Sequence, residues 1–463
     1  MLRLLVTLGA FFLVSAVTVA DYKPTWSSID SRPLPSWFDD SKIGIFLHWG
    51  VYAVPGMGEW FWNQWKGGSY DNVNFMKKNY PPNFTYADFA REFRAEFFEP
   101  EEWAKIFRSS GARYVVLTSK HHEGYTMWPS NYTYNWNVMD VGPNRDLLGE
   151  LANKVREAGL KFGTYYSLFE WYNPIYLKDK STGFATNEFV RNKMIPEMKE
   201  LINKYKPEVL WSDGDWEAKD SYFTSTQFLA WLYNESPVKD TIVTNDRWGQ
   251  GTGCTHGGYF SCQDRYNPGT LQLHKWENAM TLDKSSWGYR RTATLNDYLT
   301  IEELLETLAS TVSCGGNLLV NIGPTSYGKI PPIGEERLRQ MGSWLDINGE
   351  AIYSSKPWRF QNDTLNSDVW YTMKENTGKC TVYAIVVKWP KDNILRLRSP
   401  MPKNDTTVEM ISYNGQLKWQ TSGTTPDMLI ELPTADIGSR WTWVIKLNNL
   451  SNDCDPSNYI PNW

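Results

Sequence analysis

The sequence carries almost no excess charge of either sign: 47 Lys and Arg stand against 52 Asp and Glu over 463 residues. A chain so balanced has no basic field for nucleic acid and gives no reason to expect an anionic membrane partner. Long apolar runs are missing after residue 19, which predicts a soluble mature protein with no membrane span. Histidine and cysteine are scarce, five of each. No HExxH stretch and no zinc-type cysteine spacing occurs, and His121 and His122 are adjacent, so they diverge on an extended chain instead of sharing one face. The expectation is therefore no metal and no cofactor.

Aromatic residues are in surplus. The 24 Trp, 26 Tyr and 20 Phe make up 15% of the chain, and polar-tipped Trp and Tyr in such number favour a surface that handles carbohydrate. At the N-terminus Arg3 precedes an apolar run from Leu4 to Val19, and Thr18-Val19-Ala20 offers small residues for cleavage. Residues 1–20 thus read as a signal peptide and direct the chain into the secretory pathway. Six Asn-x-Ser/Thr sequons agree with that route, at Asn83, Asn131, Asn234, Asn362, Asn404 and Asn449; Pro237 makes Asn234 the poorest of them. In an oxidising compartment five cysteines leave one unpaired. Cys254 and Cys262 can close a small loop, worth about 2–3 kcal/mol, Cys380 can pair with Cys454, and Cys314 is left as a buried thiol.

From Ile43 to about Asn348 the chain repeats strand, polar loop and helix. Strands are predicted at Ile43–Leu47, Tyr114–Leu117, Lys161–Ser167, Val209–Ser212, Thr241–Asn245 and Asn317–Ile322. Between them lie helical spacings such as Leu147, Leu148, Leu151 and Val155, and the capping box Thr300-Ile301-Glu302-Glu303. This alternation predicts a (β/α)8-like TIM barrel over residues 21–356, irregular and loop-rich between Asn245 and Thr300. After Lys356-Pro357 short alternating strands between Asn, Gly and Pro turns predict an antiparallel β-sandwich over 357–463, bracing the barrel or binding sugar.

Barrel enzymes work at the C-terminal ends of their strands. Here His48, His121, His122, Tyr166, Asp213 and Arg247 fall at such ends. In Val209-Leu210-Trp211-Ser212-Asp213-Gly214 the alternation of a strand puts Trp211 and Asp213 on one face. An indole beside a carboxylate suits a site where a sugar ring stacks and its anomeric carbon meets the acid. The imidazoles, each with one donor and one acceptor, suit hydroxyl groups.

Gly44-Ile45-Phe46-Leu47-His48-Trp49-Gly50, Lys120-His121-His122-Glu123-Gly124, Trp211-Ser212-Asp213-Gly214 and His274-Lys275-Trp276-Glu277 resemble the motifs of the α-L-fucosidases, glycoside hydrolase family 29, as do Ser286-Trp287-Gly288-Tyr289 and Gly315-Gly316-Asn317-Leu318-Leu319. The likeness runs from about Trp26 to Trp358 and is closest to the animal secretory and lysosomal enzymes. It implies a retaining hydrolase that releases α-L-fucose from fucosylated glycoproteins, glycolipids or oligosaccharides, secreted or lysosomal, with Asp213 as nucleophile. His48, Glu59, Trp60, His121, His122, Tyr166, Trp211 and Arg247 match positions that hold the fucose, and Trp287 one that faces its methyl group. Asp264, in Cys262-Gln263-Asp264-Arg265-Tyr266, matches the loop that supplies the acid/base, with Glu277 the competitor. Where the animal pattern has a cysteine two residues after that glutamate, this chain has Ala279. The alternative is a catalytically silent fucose-binding glycoprotein; the two carboxylates argue for the enzyme. A homo-oligomer is compatible with the sequence.

Overall fold

Strand β1 (Ile43–Leu47) is buried at every position and pairs in parallel with β2 (Tyr114–Lys120) on one side and β7 (Gly316–Ile322) on the other. The computed structural model describes residues 21–454 other than 424, 426 and 436, so the signal peptide expected at 1–20 lies outside the described residues. Around β1 the sheet continues through β3 (Lys161–Ser167), β4 (Val209–Asp213), β5 (Val243–Thr244) and β6 (Trp276–Thr281), in the order β5-β4-β3-β2-β1-β7-β6. Strands covered on both faces need apolar residues throughout, which is why most of them read as unbroken hydrophobic runs.

Gly44 belongs inside this sheet for a steric reason. A Cβ there would stand 2.3 Å from the Tyr114 ring, which crosses the barrel interior. On the outer face, helices such as Leu147–Glu157 bury the predicted stripe of Leu147, Leu148, Leu151 and Val155, together with Ala152, and the capping box opens helix Ile301–Ser313, with Thr300 and Glu303 bonded reciprocally.

Among the described residues this barrel-like sheet has seven strands. The gap between β5 and β6 is bridged by residues 259–260 alone: Tyr259 N donates to Thr244 O, Phe260 N to Lys275 O, and Glu277 N to Phe260 O, at 2.8–2.9 Å. The backbone approaches so closely here that a Cβ on Gly258 would lie 2.2 Å from Thr244 O. The sequence offers no strand at 259–260 because two residues suffice to close the ring. It also hides β6, whose Glu277 and Asn278 break the apolar run; both are buried and bonded, to Tyr114 and Trp211 and to Thr311.

After the barrel, two antiparallel sheets face each other. One has the order β12-β15-β10-β9-β8 and the other β11-β14-β13, from β8 (Lys356–Asn362), β9 (Val369–Asn376), β10 (Lys379–Val386), β11 (Ile394–Leu397), β12 (Pro402–Met410), β13 (Trp419–Thr421), β14 (Met428–Glu431) and β15 (Trp443–Leu450). They enclose their own core, including Tyr371, Val382, Ile430 and Leu447. This unit is fastened to the barrel by Trp344 Nε1 donating to Thr442 O (2.8 Å) and by Asp39, which accepts from Lys42, Lys275 and Lys356 at 2.5–2.6 Å. Those lysines stand immediately before β1, immediately before β6 and at the start of β8. Cys254–Cys262 and Cys380–Cys454 are disulfides, and Cys314 is a buried free thiol.

Candidate active site

The C-terminal ends of the strands open into a cavity of about 530 Å³. His48, Glu59, Trp60, His121, His122, Trp211, Asp213, Arg247, Asp264 and Trp287, all singled out from the sequence, line it together. Tyr166 and Glu277 do not. The Tyr166 hydroxyl points to the outer side of β3 and donates to Glu197 at 2.7 Å, which corrects its assignment to the site. Its neighbour Tyr165 turns inward, in register with Trp211. A one-residue change of position moves a side chain to the opposite face of a strand, and nothing in Tyr165-Tyr166-Ser167 marks which tyrosine is which.

Asp213 ends β4 and is 8% exposed at the base of the cavity. Its Oδ2 accepts from Tyr165 Oη at 2.7 Å, and its Oδ1 from Arg247 Nη1 at 3.1 Å. Burial and the Asp213 charge push the Tyr165 hydroxyl well above the usual phenol range, so it stays a donor. Arg247 lies over the Trp211 ring at 4.7 Å and extends Nη2 to Asp264 Oδ1 at 2.8 Å. One guanidinium therefore holds both carboxylates, in the fork geometry that arginine alone provides. Asp215, unremarked in the sequence, also lines the cavity; burial pushes its carboxyl up to about 6, with Arg247 opposing and Asp213 adding.

The imidazoles are set by their neighbours. Ser167 Oγ–H donates to Phe169 O, so its oxygen accepts from His122 Nδ1 at 2.6 Å. Asn321 Nδ2 donates to Trp287 O, so its Oδ1 accepts from His48 Nδ1 at 2.7 Å. His121 Nδ1 meets Glu123 Oε2 at 3.2 Å. Burial, with the neighbouring imidazole of His121, holds His48 and His122 well below the usual histidine range. Both are neutral, and with Nδ1–H engaged each keeps Nε2 as an acceptor for a hydroxyl. Glu59 Oε2 gathers Ser286 Oγ, Trp287 N and Gly288 N at 2.8–3.1 Å, which fixes the loop that presents Trp287.

The loop bearing Asp264 is pinned from below. The buried Asp246 accepts from Ser261 N and Oγ on one oxygen and from Cys254 N and Cys262 N on the other, at 2.7–3.0 Å. The Cys254–Cys262 bridge closes the same loop. Asp246, Cys254 and Cys262 also form the one grouping with metal-ligand spacing among the described residues; with the sulfurs joined and the carboxylate occupied by four donors, it is no ligand set.

Glu277 is fully buried within the barrel. It accepts from Tyr114 Oη at 2.6 Å and from Trp211 Nε1 at 3.0 Å. Burial pushes its carboxyl up to about 7 against the pull of those donors. A carboxyl raised on folding holds its proton more tightly in the fold than in the unfolded chain. Its contribution to stability is full below about 4.5 and is lost as pH rises toward 7. Glu277→Gln is thus expected to flatten that decline, and calorimetry at pH 5 and 7.5 should show the variant losing roughly 2–4 °C less in Tm than the parent. An identical loss in both would refute the burial account.

Tyr165, Asp215, Trp216, Gln263 and Ser285 line the cavity without having been foreseen. Tyr165 could not be told from Tyr166 without the register of β3 on β4, and the other four lie in loops that no strand-end pattern marks.

A family model described as alpha-L-fucosidase matches residues 10–350, and one described as alpha-L-fucosidase C-terminal domain matches residues 361–448. The chain is 57% identical over 446 residues to an alpha-L-fucosidase of Branchiostoma floridae, covering 95% of this chain and 98% of that protein. It is 51% identical over 458 residues to the human tissue alpha-L-fucosidase, covering 97% of each, and 54% over 436 residues to the human plasma enzyme, covering 93% of each. Among solved structures, the Thermotoga maritima alpha-fucosidase in complex with fucose superimposes with a TM-score of 0.80 at 33% identity, over 92% of this chain and 100% of that one.

Proposed function

The chain belongs to the α-L-fucosidase family and carries its activity, and from that premise we propose that it releases α-L-fucose from fucosylated glycans with retention, through a covalent fucosyl-enzyme. The observation that carries this reading is Arg247 holding Asp213 and Asp264 at once. Carboxyls bound by adjacent nitrogens of one guanidinium fit the short spacing of a retaining pair, about 5–5.5 Å, better than the roughly 6.5–9.5 Å of an inverting pair. Asp213 attacks the anomeric carbon while Asp264 hands its proton to the departing glycosidic oxygen. Asp264, then a carboxylate, takes a proton from water, the water oxygen bonds to the anomeric carbon, and the ester to Asp213 breaks. His48, His121 and His122 accept from sugar hydroxyls, and Trp287 covers an apolar edge of the sugar.

The proton-resolved course of a 4-nitrophenyl α-L-fucoside digest tests this: α-L-fucose should appear first and mutarotate afterwards, and β-L-fucose as first product would exclude retention.

Asp246 follows as a positioning residue. Asp246→Asn turns an amide N–H toward two backbone donors, which displaces the Asp264 loop. The expected loss in kcat/KM is roughly 10- to 100-fold for fucosides with poor leaving groups, shrinking to little for a dinitrophenyl fucoside that leaves without protonation. A loss equal for both leaving groups would assign Asp246 to general stability instead.

Within the same reading, residues 21–356 are the catalytic unit, 357–463 the bracing sandwich and 1–20 a signal peptide that routes a glycoprotein outward or to the lysosome. The Arg3 and Leu4–Val19 pattern supports this, as do relatives named for plasma and tissue. Asn234 is expected to stay unmodified, because its Nδ2 donates to Tyr22 O and its Oδ1 accepts from Tyr22 N, both at 2.9 Å.

A further inference from the structure

Three segments from different strands deliver indoles to one side of the cavity mouth. Trp60 and Trp62 come from the segment after β1, Trp60 capping and Trp62 within the short helix Phe61–Lys66, Trp171 from the loop after β3, and Trp216 from that after β4. Trp60 and Trp216 lie nearly parallel, 29° between planes and 6.2 Å between centroids. Trp171 meets Trp60 edge-on at 5.1 Å and stacks on Trp62 at 5.5 Å and 18°. The aromatic surplus of this chain is otherwise mostly core, but Trp216 is 43% exposed while lining the cavity, and Trp60, Trp62 and Trp171 are half-buried. Mutual packing of loops would explain the half-buried three. It does not explain an indole held open to solvent at the entrance of a sugar site.

We propose that Trp216, backed by Trp60, Trp171 and Trp62, is the platform for the sugar to which fucose is attached, so that the enzyme selects fucose on a neutral pyranose able to lay its apolar face on an indole. This rests on the fucosidase reading of the site. The ledge is continuous with the cavity. It begins at Trp216, three residues after Asp213 and directly after Asp215, and Trp216 O accepts from Gln250 Nε2 at 2.9 Å, which ties the ledge to the segment leading into the Asp264 loop. Gln263, which also lines the mouth and is exposed, offers an amide for hydroxyls of the same sugar. Indoles bind the apolar face of a ring, and the carboxylates of Asp213, Asp215 and Asp264 line the same cavity and disfavour an acidic ring, so the occupant is a neutral sugar.

The test compares 2′-fucosyllactose, which has a leaving sugar, with α-L-fucosyl fluoride, which has none. For Trp216→Ala the ratio of kcat/KM for the disaccharide-linked substrate to that for the fluoride should fall about tenfold, the loss of one ring–aromatic stack. Trp216→Tyr, which keeps a ring, should recover most of it, and Trp171→Ala, which removes a ring packed against His121 and His122, should lower kcat/KM for both substrates together and leave the ratio near that of the parent. An unchanged ratio in Trp216→Ala, or an unchanged ratio in the presence of equal losses on both substrates, overturns the proposal. Failure of the parent enzyme to hydrolyse fucosyl fluoride overturns the fucosidase reading itself, a result that the ratio alone does not produce.

Discussion

Asp213→Gly should lower kcat on 4-nitrophenyl α-L-fucoside by about 10⁴-fold or more, the scale of loss when a covalent nucleophile is removed, while fucose still binds. The geometry makes the result specific. Tyr165 Oη and Arg247 Nη1 converge on the Asp213 carboxylate at 2.7 and 3.1 Å, and both donors remain when the carboxylate is gone. The vacated space is then a seat for a small anion, so azide should restore turnover. Azide entering there attacks from the face the nucleophile used, in one displacement, and the product is β-L-fucosyl azide. Rescue that gives the α-azide, or a Gly variant within tenfold of the parent, would remove Asp213 from the role.

Asp264→Ala should behave differently on each count. General acid catalysis contributes typically about 10²–10⁴-fold, and the loss should fall on fucosides whose leaving group needs a proton. With a dinitrophenyl leaving group the fucosyl-enzyme still forms, its hydrolysis lacks a base, and a burst precedes slow turnover. Azide needs no base, so it should accelerate this second step and yield α-L-fucosyl azide after two inversions. Arg247 Nη2 now lacks its 2.8 Å partner, which gives incoming azide a further contact. Glu277→Gln should show neither burst nor rescue, because its carboxyl accepts from Tyr114 and Trp211 and does not line the cavity. If azide rescues Glu277→Gln and leaves Asp264→Ala unmoved, the acid/base assignment is reversed.

Much of the site was legible because barrel strands carry their chemistry at one end. His48, His121, His122, Asp213 and Arg247 each follow an apolar run that stops abruptly, and the alternation in Val209–Asp213 already put Trp211 and Asp213 together. Tyr165 and Tyr166 show where that reasoning runs out. Two adjacent tyrosines at a strand end are equivalent on paper, and only the pairing of β3 with β4 decides that Tyr165 faces Asp213 and Tyr166 faces Glu197. The region from Asn245 to Thr300 was illegible for a different reason: a two-residue bridge at 259–260 and a strand containing a buried glutamate have no periodicity to detect.

What the amino-acid order determines by itself is local: apolar runs that must be buried, turns that end them, the capping box at Thr300, and the family motifs that travel with both. Whether Asp264 or Glu277 meets solvent is not local. Glu277 sits in a strand whose inward side is sealed by Tyr114 and Trp211, while Asp264 rides a loop closed by a disulfide and anchored on Asp246 from another strand end. The loop contacts are local, but the bonds from Tyr114 and Trp211 to Glu277 join residues brought together only when the sheet closes, and burial, which separates the two carboxyls, is a property of the assembled barrel and of no stretch of chain within it.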